Sequence, residues 1–355
     1  MPDLLLVGAG HSHLHLIAHA RALTTAGYRV RVLAPRFFDY SGLASATAAG
    51  SVPADAGRID VRALAQRHDV ELVEDTLSGL DLRGRCATTT GGSRLAYDVV
   101  SLNIGSVAAA PGMEVGDGVL RVKPLSDLAA LAARLAATPD AGLSVVGGGS
   151  TGIELAAHLS VRAGVGTVRL LESGPEIGAG LPPRARRRLV RLLDRRGVEV
   201  CVDAPVRSVG AHQVGLDDGR TLGHDIALLA TGLAAPRLVS ELGIGDVDGI
   251  PVTTSLQHVD QPDTYAVGDC AHFTPQPLAR IGVHGVRQGS VLLASLLARA
   301  AGQPLPTYTP QGRALAILDL GDGVGLAVRG RLWWYGGAAL RLKRWIDRRW
   351  LARYR

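Results

Sequence analysis

The chain has 355 residues, 47% of them hydrophobic, enough apolar material for two or three packed domains, and this sets aside intrinsic disorder. Its three cysteines, Cys86, Cys201 and Cys270, lie far apart and form no C-x-x-C pair, so neither a disulfide framework nor a thiolate zinc cluster is expected. The formal charge of +6 is matched by residues 341–355 alone, which carry seven Arg or Lys against one Asp, and basicity confined to one segment argues against nucleic-acid binding.

In chain order, Leu4 to Val7 read as a strand that runs into Gly8-Ala9-Gly10-His11-Ser12-His13, a helix through Ala22 and a strand at Tyr28 to Leu33, which is a βαβ start. The opening apolar run follows an acidic residue and meets glycines at once, unlike a secretory signal. No uncharged run is long enough to span a bilayer, so a cytosolic location is expected. Cys86 to Thr90 and Asp98 to Asn103, on either side of Gly91-Gly92, read as a β-meander. The opening pattern then recurs as Leu143 to Val146, Gly147-Gly148-Gly149-Ser150-Thr151-Gly152, a helix through about Val161 and a strand at Thr167 to Leu171. Val206 to Leu216 and Thr221 to Leu229 repeat the meander. After Ala230-Thr231-Gly232, a strand at Thr264 to Val267 leads to Gly268-Asp269-Cys270-Ala271 and a long helix from about Gly282 to Arg299. Residues 301–355 read as a separate β-hairpin region closed by a basic, Trp-rich helix.

A helix N-terminus offers unpaired N–H groups and partial positive charge, so a pyrophosphate can sit there wherever glycine keeps side chains out of the way. Gly147, Gly149 and Gly152 have the dinucleotide spacing, and Glu172 ends the next strand, placed to accept from both ribose hydroxyls and to repel a 2′-phosphate. NADH is therefore favoured over NADPH. In the first loop His13 replaces the third glycine, and the following strand ends at Pro35-Arg36 without a carboxylate. Two such loops in matching βαβ contexts outweigh the reading of either as a plain tight turn. His11, His15 and His19 share one helical face, but no nearby Cys, Asp or Glu completes a ligand set and a helix N-terminus repels cations, so no metal is expected; His13 is read as packing against strand or flavin.

The order of motifs resembles the pyridine nucleotide-disulfide oxidoreductase superfamily over about residues 1–300. The resemblance is carried by the two glycine loops, Asn103-Ile104-Gly105-Ser106, Ala230-Thr231-Gly232 and Ala266-Val267-Gly268-Asp269-Cys270-Ala271. Within it the chain looks like the type II NADH dehydrogenase group, and in detail like the flavoprotein module fused to selenophosphate synthetase. That likeness rests on Gly-x-Gly-His-Ser-His at 8–13, Tyr40-Ser41-Gly42, Val122-Lys123-Pro124-Leu125, Val286-Arg287-Gln288-Gly289 and the terminal Leu342 to Tyr354. No synthetase domain is present in these residues, so a selenium role is not carried over. The resemblance implies an α/β fold of two Rossmann-like, glutathione-reductase-type domains, the second inserted in the first. An FAD domain would occupy 1–110 and 233–300, an NADH domain 111–232, and a C-terminal β-hairpin and amphipathic helix region 301–355.

By that resemblance Gly8, Gly10, His11, Ser12, His13, Arg36, Ser41, Gly105, Ser106, Gly268 and Asp269 would bind FAD, and Gly147, Gly149, Ser150, Thr151, Gly152, Glu172 and Gly232 would bind NADH. Glu154 resembles the glutamate that faces the nicotinamide, with an exposed helix charge as its bland alternative. Lys123, in the hinge before the inserted domain, is read as touching flavin or phosphate, or equally as a solvated linker lysine. The expected reaction moves hydride from NADH to flavin. With no cysteine pair where disulfide reductases keep one, the acceptor must reach the flavin directly. A quinone is the expected acceptor. Gln288 matches one glutamine of the quinone-side motif, Val283 stands where the other is expected, and His284 is the candidate replacement. The alternatives are a soluble electron carrier, an organic substrate, or a redox-sensing binding role. In the tail, Ala338, Leu342, Trp345, Ile346 and Trp350 fall on one helical arc, which suits a peripheral membrane surface or packing on the FAD domain or on a second copy in a dimer.

Overall fold

The computed structural model describes residues 1–355, apart from the side chains of Ser126 and Ala129. Two five-stranded parallel sheets form its frame. The first is built from β1 (Asp3–Val7), β2 (Arg29–Leu33), β3 (Glu71–Val73), β4 (Val99–Leu102) and β10 (Thr264–Ala266), in the order β10-β4-β1-β2-β3. The second has β5 (Leu120–Arg121), β6 (Ala141–Val146), β7 (Val165–Leu171), β8 (Glu199–Cys201) and β9 (Ile226–Leu229), in the order β5-β9-β6-β7-β8. In both, the strand that leads into the glycine loop, β1 or β6, sits mid-sheet and is buried on its two faces, which is why Leu4 to Val7 and Leu143 to Val146 are mostly apolar rather than alternating. Helices α1 (His11–Ala18), α4 (Ser150–Leu159) and α6 (Gly282–Ala300) start at the carboxyl ends of strands; α2 (Ala44–Ala48), α3 (Ser126–Ala137) and α5 (Pro183–Arg195) complete the layers.

The two meanders differ from expectation in the same way. Asp98 to Asn103 is not the last strand of a meander but β4, paired in parallel with β1, and Thr221 to Leu229 splits into a meander strand at Thr221–Gly223 and the parallel strand β9. The physical reason is legible afterwards: Val99 to Leu102 and Ile226 to Leu229 are buried at every position, and a strand with no polar alternate face belongs inside a sheet covered on both sides. The first helix also ends early, at Ala18. His19 leaves helical geometry (φ −117°, ψ 21°) while its Nδ1 lies 2.8 Å from the His15 carbonyl oxygen, and a second short helix covers Ala20–Thr25.

The C-terminal residues are not a separate appendage. Strands β11 (Ala316–Asp319), β12 (Gly325–Arg329) and β13 (Leu332–Gly336) make an antiparallel sheet, followed by helix α7 (Gly337–Leu351). Leu318, Leu320, Leu326 and Val328 join the apolar core of the second sheet's domain, whereas Trp350, Leu351 and Tyr354 join that of the first. Arg196 donates to the carbonyls of Ala157 and Leu320 on one side, and Arg67 donates to the Tyr354 carbonyl at 2.8 Å on the other. One short segment is thus a strut between two domains. The buried face of α7 is Ala339, Leu340, Lys343, Asp347, Trp350 and Leu351, so of the expected arc only Trp350 is fully inside, and Ala338, Trp345 and Ile346 face outward. The buried face thus includes an ion-paired lysine and aspartate that the apolar arc does not contain.

Trp350 stacks on Tyr40 at 4.6 Å between centroids and is 6% exposed. Trp350→Ala is expected to cost about 3–5 kcal/mol, read as a lower urea midpoint, with flavin released at that same midpoint. Unchanged stability would contradict the strut role.

Candidate functional site

The first glycine loop joins β1 to α1. Gly8 has φ +84°, and a Cβ there would lie 2.5 Å from the Asn103 carbonyl oxygen; one on Gly10 would lie 2.4 Å from Asn103 Oδ1. Gly10 is the N-cap of α1 and has no side chain to cap it; the His13 N–H donates to Asn103 Oδ1 at 3.4 Å, and the N–H groups of His11 and Ser12 remain available to an anion. His13, where a third glycine is usual, is fully buried, with Nδ1 2.6 Å from the Gly8 carbonyl and Nε2 2.8 Å from Ser101 Oγ. Burial lowers its pKa to about 4, so the neutral ring donates to one neighbour and accepts from the other. Ser12 donates to the Gly285 carbonyl at 2.5 Å and ties α1 to α6. The side chains of Ser12 and His13 therefore brace the loop from the core side and do not face a ligand. Arg36, at the end of β2, is paired on the surface with Asp60 at 2.9 Å, with its guanidinium 4.9 Å from the Phe37 ring centroid.

The second loop joins β6 to α4. Gly147 has φ +112°, and a Cβ on Gly152 would sit 1.9 Å from the Gly147 carbonyl oxygen, so helix and strand can approach only with glycine there. Gly149 caps α4 with open space around it, no side chain caps the helix, and Ser150 and Thr151 are exposed beside it. Glu172 accepts from the Gly148 N–H at 2.7 Å and the Gly174 N–H at 2.8 Å, which fixes its carboxylate at the mouth of the loop. Gly232, with φ +109°, also borders open space.

Three charged or polar groups meet where the hinge passes the first domain. Lys123 Nζ lies 2.7 Å from Asp269 and donates to Ser106 Oγ at 3.0 Å, and Ser106 donates to Asp269 at 2.8 Å. Burial pushes the Asp269 carboxyl up, but the Lys123 ammonium and the hydrogen bonds outweigh it and hold it below the usual range. Lys123 is thus no solvated linker lysine. Gly105 (φ +76°) borders open space next to this triad.

Gln288 and His284 are not where the motif placed them. Gln288 is buried, and its Oε1 accepts the Gly268 N–H at 2.6 Å, so it holds the turn that presents Asp269. His284 turns its Nδ1 to Tyr308 Oη at 2.8 Å, leaving Val283 rather than the imidazole on the cavity wall. Asn103 was not singled out as a site residue, yet it lies under both Gly8 and Gly10 and donates to the Val267 carbonyl at 2.8 Å. Its only signal in sequence was its place before Gly105-Ser106.

Both loops and the strut border one cavity of about 450 Å³, whose wall includes His11, Ser41, Ser150, Glu154, Gly282 and Lys343. His11, 4.9 Å from the Trp350 ring, is held near pKa 4 by burial. Glu154 accepts the Asp319 N–H at 2.7 Å, and burial raises its carboxyl to about 7. The first turn of α6 also reaches the wall, bringing positive dipole charge. Among the described residues none of the three cysteines lines the cavity, and burial pushes the Cys270 thiol up to about 11. Two uncapped helix starts, with room where glycine replaces a side chain, suit two dinucleotides meeting in this space.

Comparison with known proteins agrees. The family model described as pyridine nucleotide-disulphide oxidoreductase matches residues 2–289. The chain is 26% identical over 266 residues to human ferroptosis suppressor protein 1, covering 70% of this chain and 69% of that one. It is 29% identical to the ferredoxin–NAD(+) reductase component of the biphenyl dioxygenase system of Paraburkholderia xenovorans (strain LB400), covering 92% and 83%. The solved NDH2 from Plasmodium falciparum in complex with NADH shares the fold at a TM-score of 0.84 and 11% identity, covering 99% and 96%.

Glu154 supplies a pH test. Its folded pKa, about 7, exceeds the ordinary 4.5, so the folded state holds an extra proton between those values and stability falls as pH rises through that window. Buried His11 and His13, with folded pKa near 4 against an ordinary 6.5, push the opposite way over much of that range, so the difference between curves isolates Glu154: in unfolding titrations from pH 4 to 8 the stability of wild type relative to Glu154→Gln is expected to fall as pH rises from 4.5 to 7. Parallel curves would remove Glu154 as a buried, titrating group.

Proposed function

The chain belongs to the pyridine nucleotide-disulphide oxidoreductase family and is an FAD-dependent NAD(P)H oxidoreductase; from that premise we propose that NADH is its donor, that FAD occupies the first glycine loop, and that electrons leave the flavin directly for a redox carrier. Bound FAD supplies the hydride-accepting and electron-passing chemistry. The chain's own residues bind and orient. Gly8 and Gly10 admit a pyrophosphate to the start of α1, Asp269 and Ser106 stand ready for the flavin nucleotide, and Lys123 neutralises Asp269. Ser150, Thr151 and the start of α4 take the second pyrophosphate, while Glu172 takes the ribose hydroxyls and repels a 2′-phosphate. Glu154 lines the meeting point from the NADH side.

The observation that carries the reading is a single cavity shared by both loops with none of the cysteines on its wall, which removes a thiol relay. A carrier protein is favoured over a small acceptor by charge. Helix α5 presents Arg184, Arg187, Arg188, Arg191 and Arg195 on one exposed face, and Arg188 lies over the Tyr335 ring at 4.6 Å, in β13, the strand that leads into the basic α7. The arginine face of α5 is suited to an acidic partner. The Paraburkholderia relative's name points to ferredoxin. A second reading, a quinonoid acceptor met at a membrane surface, is favoured by Ile281 and Ile346, both on the cavity wall and 44% and 36% exposed, with Trp345 nearby on α7. No described helix is long and apolar enough to cross a membrane.

Anaerobic NADH is expected to bleach the flavin quickly and NADPH slowly, with Glu172→Ala narrowing the gap; fast NADPH reduction of the wild type would refute the donor assignment. Gly152→Ala should weaken NADH binding by about 1–3 kcal/mol and keep the flavin, whereas Gly10→Ala should lose the flavin. The reverse pattern would swap the two loops. Turnover with ferredoxin-type carriers should fall as salt rises, and salt-insensitive turnover with quinones alone would select the second reading.

A further inference from the structure

Of the 38 lysine and arginine residues only Lys123 and Lys343 are lysine, and each is set against a poorly exposed aspartate in the region where the domains meet. Lys123 is accounted for by Asp269. Lys343 is not used by anything derived above, although it lies on the cavity wall, 8% exposed, with its ammonium 2.9 Å from Asp347 and donating to the Gly42 carbonyl. Tyr40 donates to the other Asp347 oxygen at 3.0 Å.

Asp347 has a second neighbourhood. On the far side of α7 lies another cavity of about 520 Å³, walled by Leu43, Val52, Asp319, Arg344, Arg348 and Arg355 among others, and Asp347 is the residue common to both walls. The three arginines are exposed, so this outer cavity meets solvent. A buried lysine–aspartate pair thus lies between the cofactor cavity and this outer one. Lysine can hand on and recover a proton, whereas arginine stays protonated.

We propose that Lys343 and Asp347 are a proton relay between the cofactor cavity and the outer cavity. The proton it would carry rests on the hydride reading above and exists whichever acceptor is used. NADH gives the flavin two electrons and one proton as hydride. If two one-electron carriers then take the electrons, one proton per NADH remains and must leave; if a quinonoid takes two electrons and two protons, one further proton must enter. In the outward direction a Lys343 N–H breaks as an Asp347 O–H forms, Lys343 recovers its proton from the cavity, and Asp347 releases its own to water in the outer cavity. The inward direction reverses each transfer. The groups that face this pair are Tyr40, Glu154 and Asp319, with Arg344 and Arg348 on the solvent side.

The test uses full-length holoenzyme reduced with one equivalent of NADH and mixed with ferricyanide, which takes electrons without protons. Flavin reoxidation is followed by absorbance and proton release by an indicator dye in weak buffer. In the wild type the proton is expected to keep pace with the flavin. In Lys343→Arg and Asp347→Asn it should lag by about tenfold or more, and Asp347→Glu should restore it. Lys343→Arg keeps the charge and removes the transferable proton, so wild-type proton release in that variant overturns the relay. If Asp347→Asn fails to retain flavin, Lys343→Arg decides alone. A wild type whose flavin is not bleached by NADH instead refutes the hydride reading.

Discussion

Two helix starts can share a ligand pair only if something holds them at a fixed separation, and in this chain the last 40 residues do so. The three-stranded sheet buries leucines in one core while Trp350, Leu351 and Tyr354 are buried in the other. The burial is apolar and non-directional, but it is reinforced by groups with definite geometry: Arg196 on the carbonyls of Ala157 and Leu320, Arg67 on that of Tyr354, and Asp347 on Tyr40. Cores on both sides of a cleft cannot move apart without exposing that surface. The cavity is therefore a consequence of the strut as much as of the two nucleotide folds.

Around that frame the polar groups divide by function. His13, Asn103, Ser12 and Gln288 are buried and satisfied by backbone or hydroxyl partners, and they support loops whose own atoms remain free. Glu154, Lys343 and Asp347 also have partners but keep a face to the cavity. Burying a polar group without a partner is costly, so the first set follows from folding. The second set is harder to explain by folding alone, because three ionisable groups on one cavity wall could be replaced by apolar residues with no loss of packing.

The basic character of the chain reads differently once folded. Summed along the sequence, charge outside residues 341–355 cancels, and only the tail is basic. Folding sorts the same residues by face, so that α5, inside the stretch whose charges cancel, shows a row of five exposed arginines. A net charge carries no information on direction.

Much of the frame was legible in the sequence, because local constraints leave local marks. A glycine whose Cβ would strike a carbonyl at 1.9 Å has no substitute, and an apolar run covered on both faces cannot hide polar alternates, so the repeated βαβ starts and the two loops were readable at Gly8, Gly10, Gly147 and Gly152. The lack of a cysteine pair likewise argued against a thiol relay. What the tertiary structure alone decided was which way amphipathic side chains turn. Whether Gln288 faces an acceptor or the Gly268 N–H, whether His284 meets the cavity or Tyr308, and which arc of α7 is buried depend on partners more than 15 residues away, at Gly268, Tyr308, Tyr40 and Gly42. Periodicity reports the spacing of residues on one element; it holds no record of the element that packs against it.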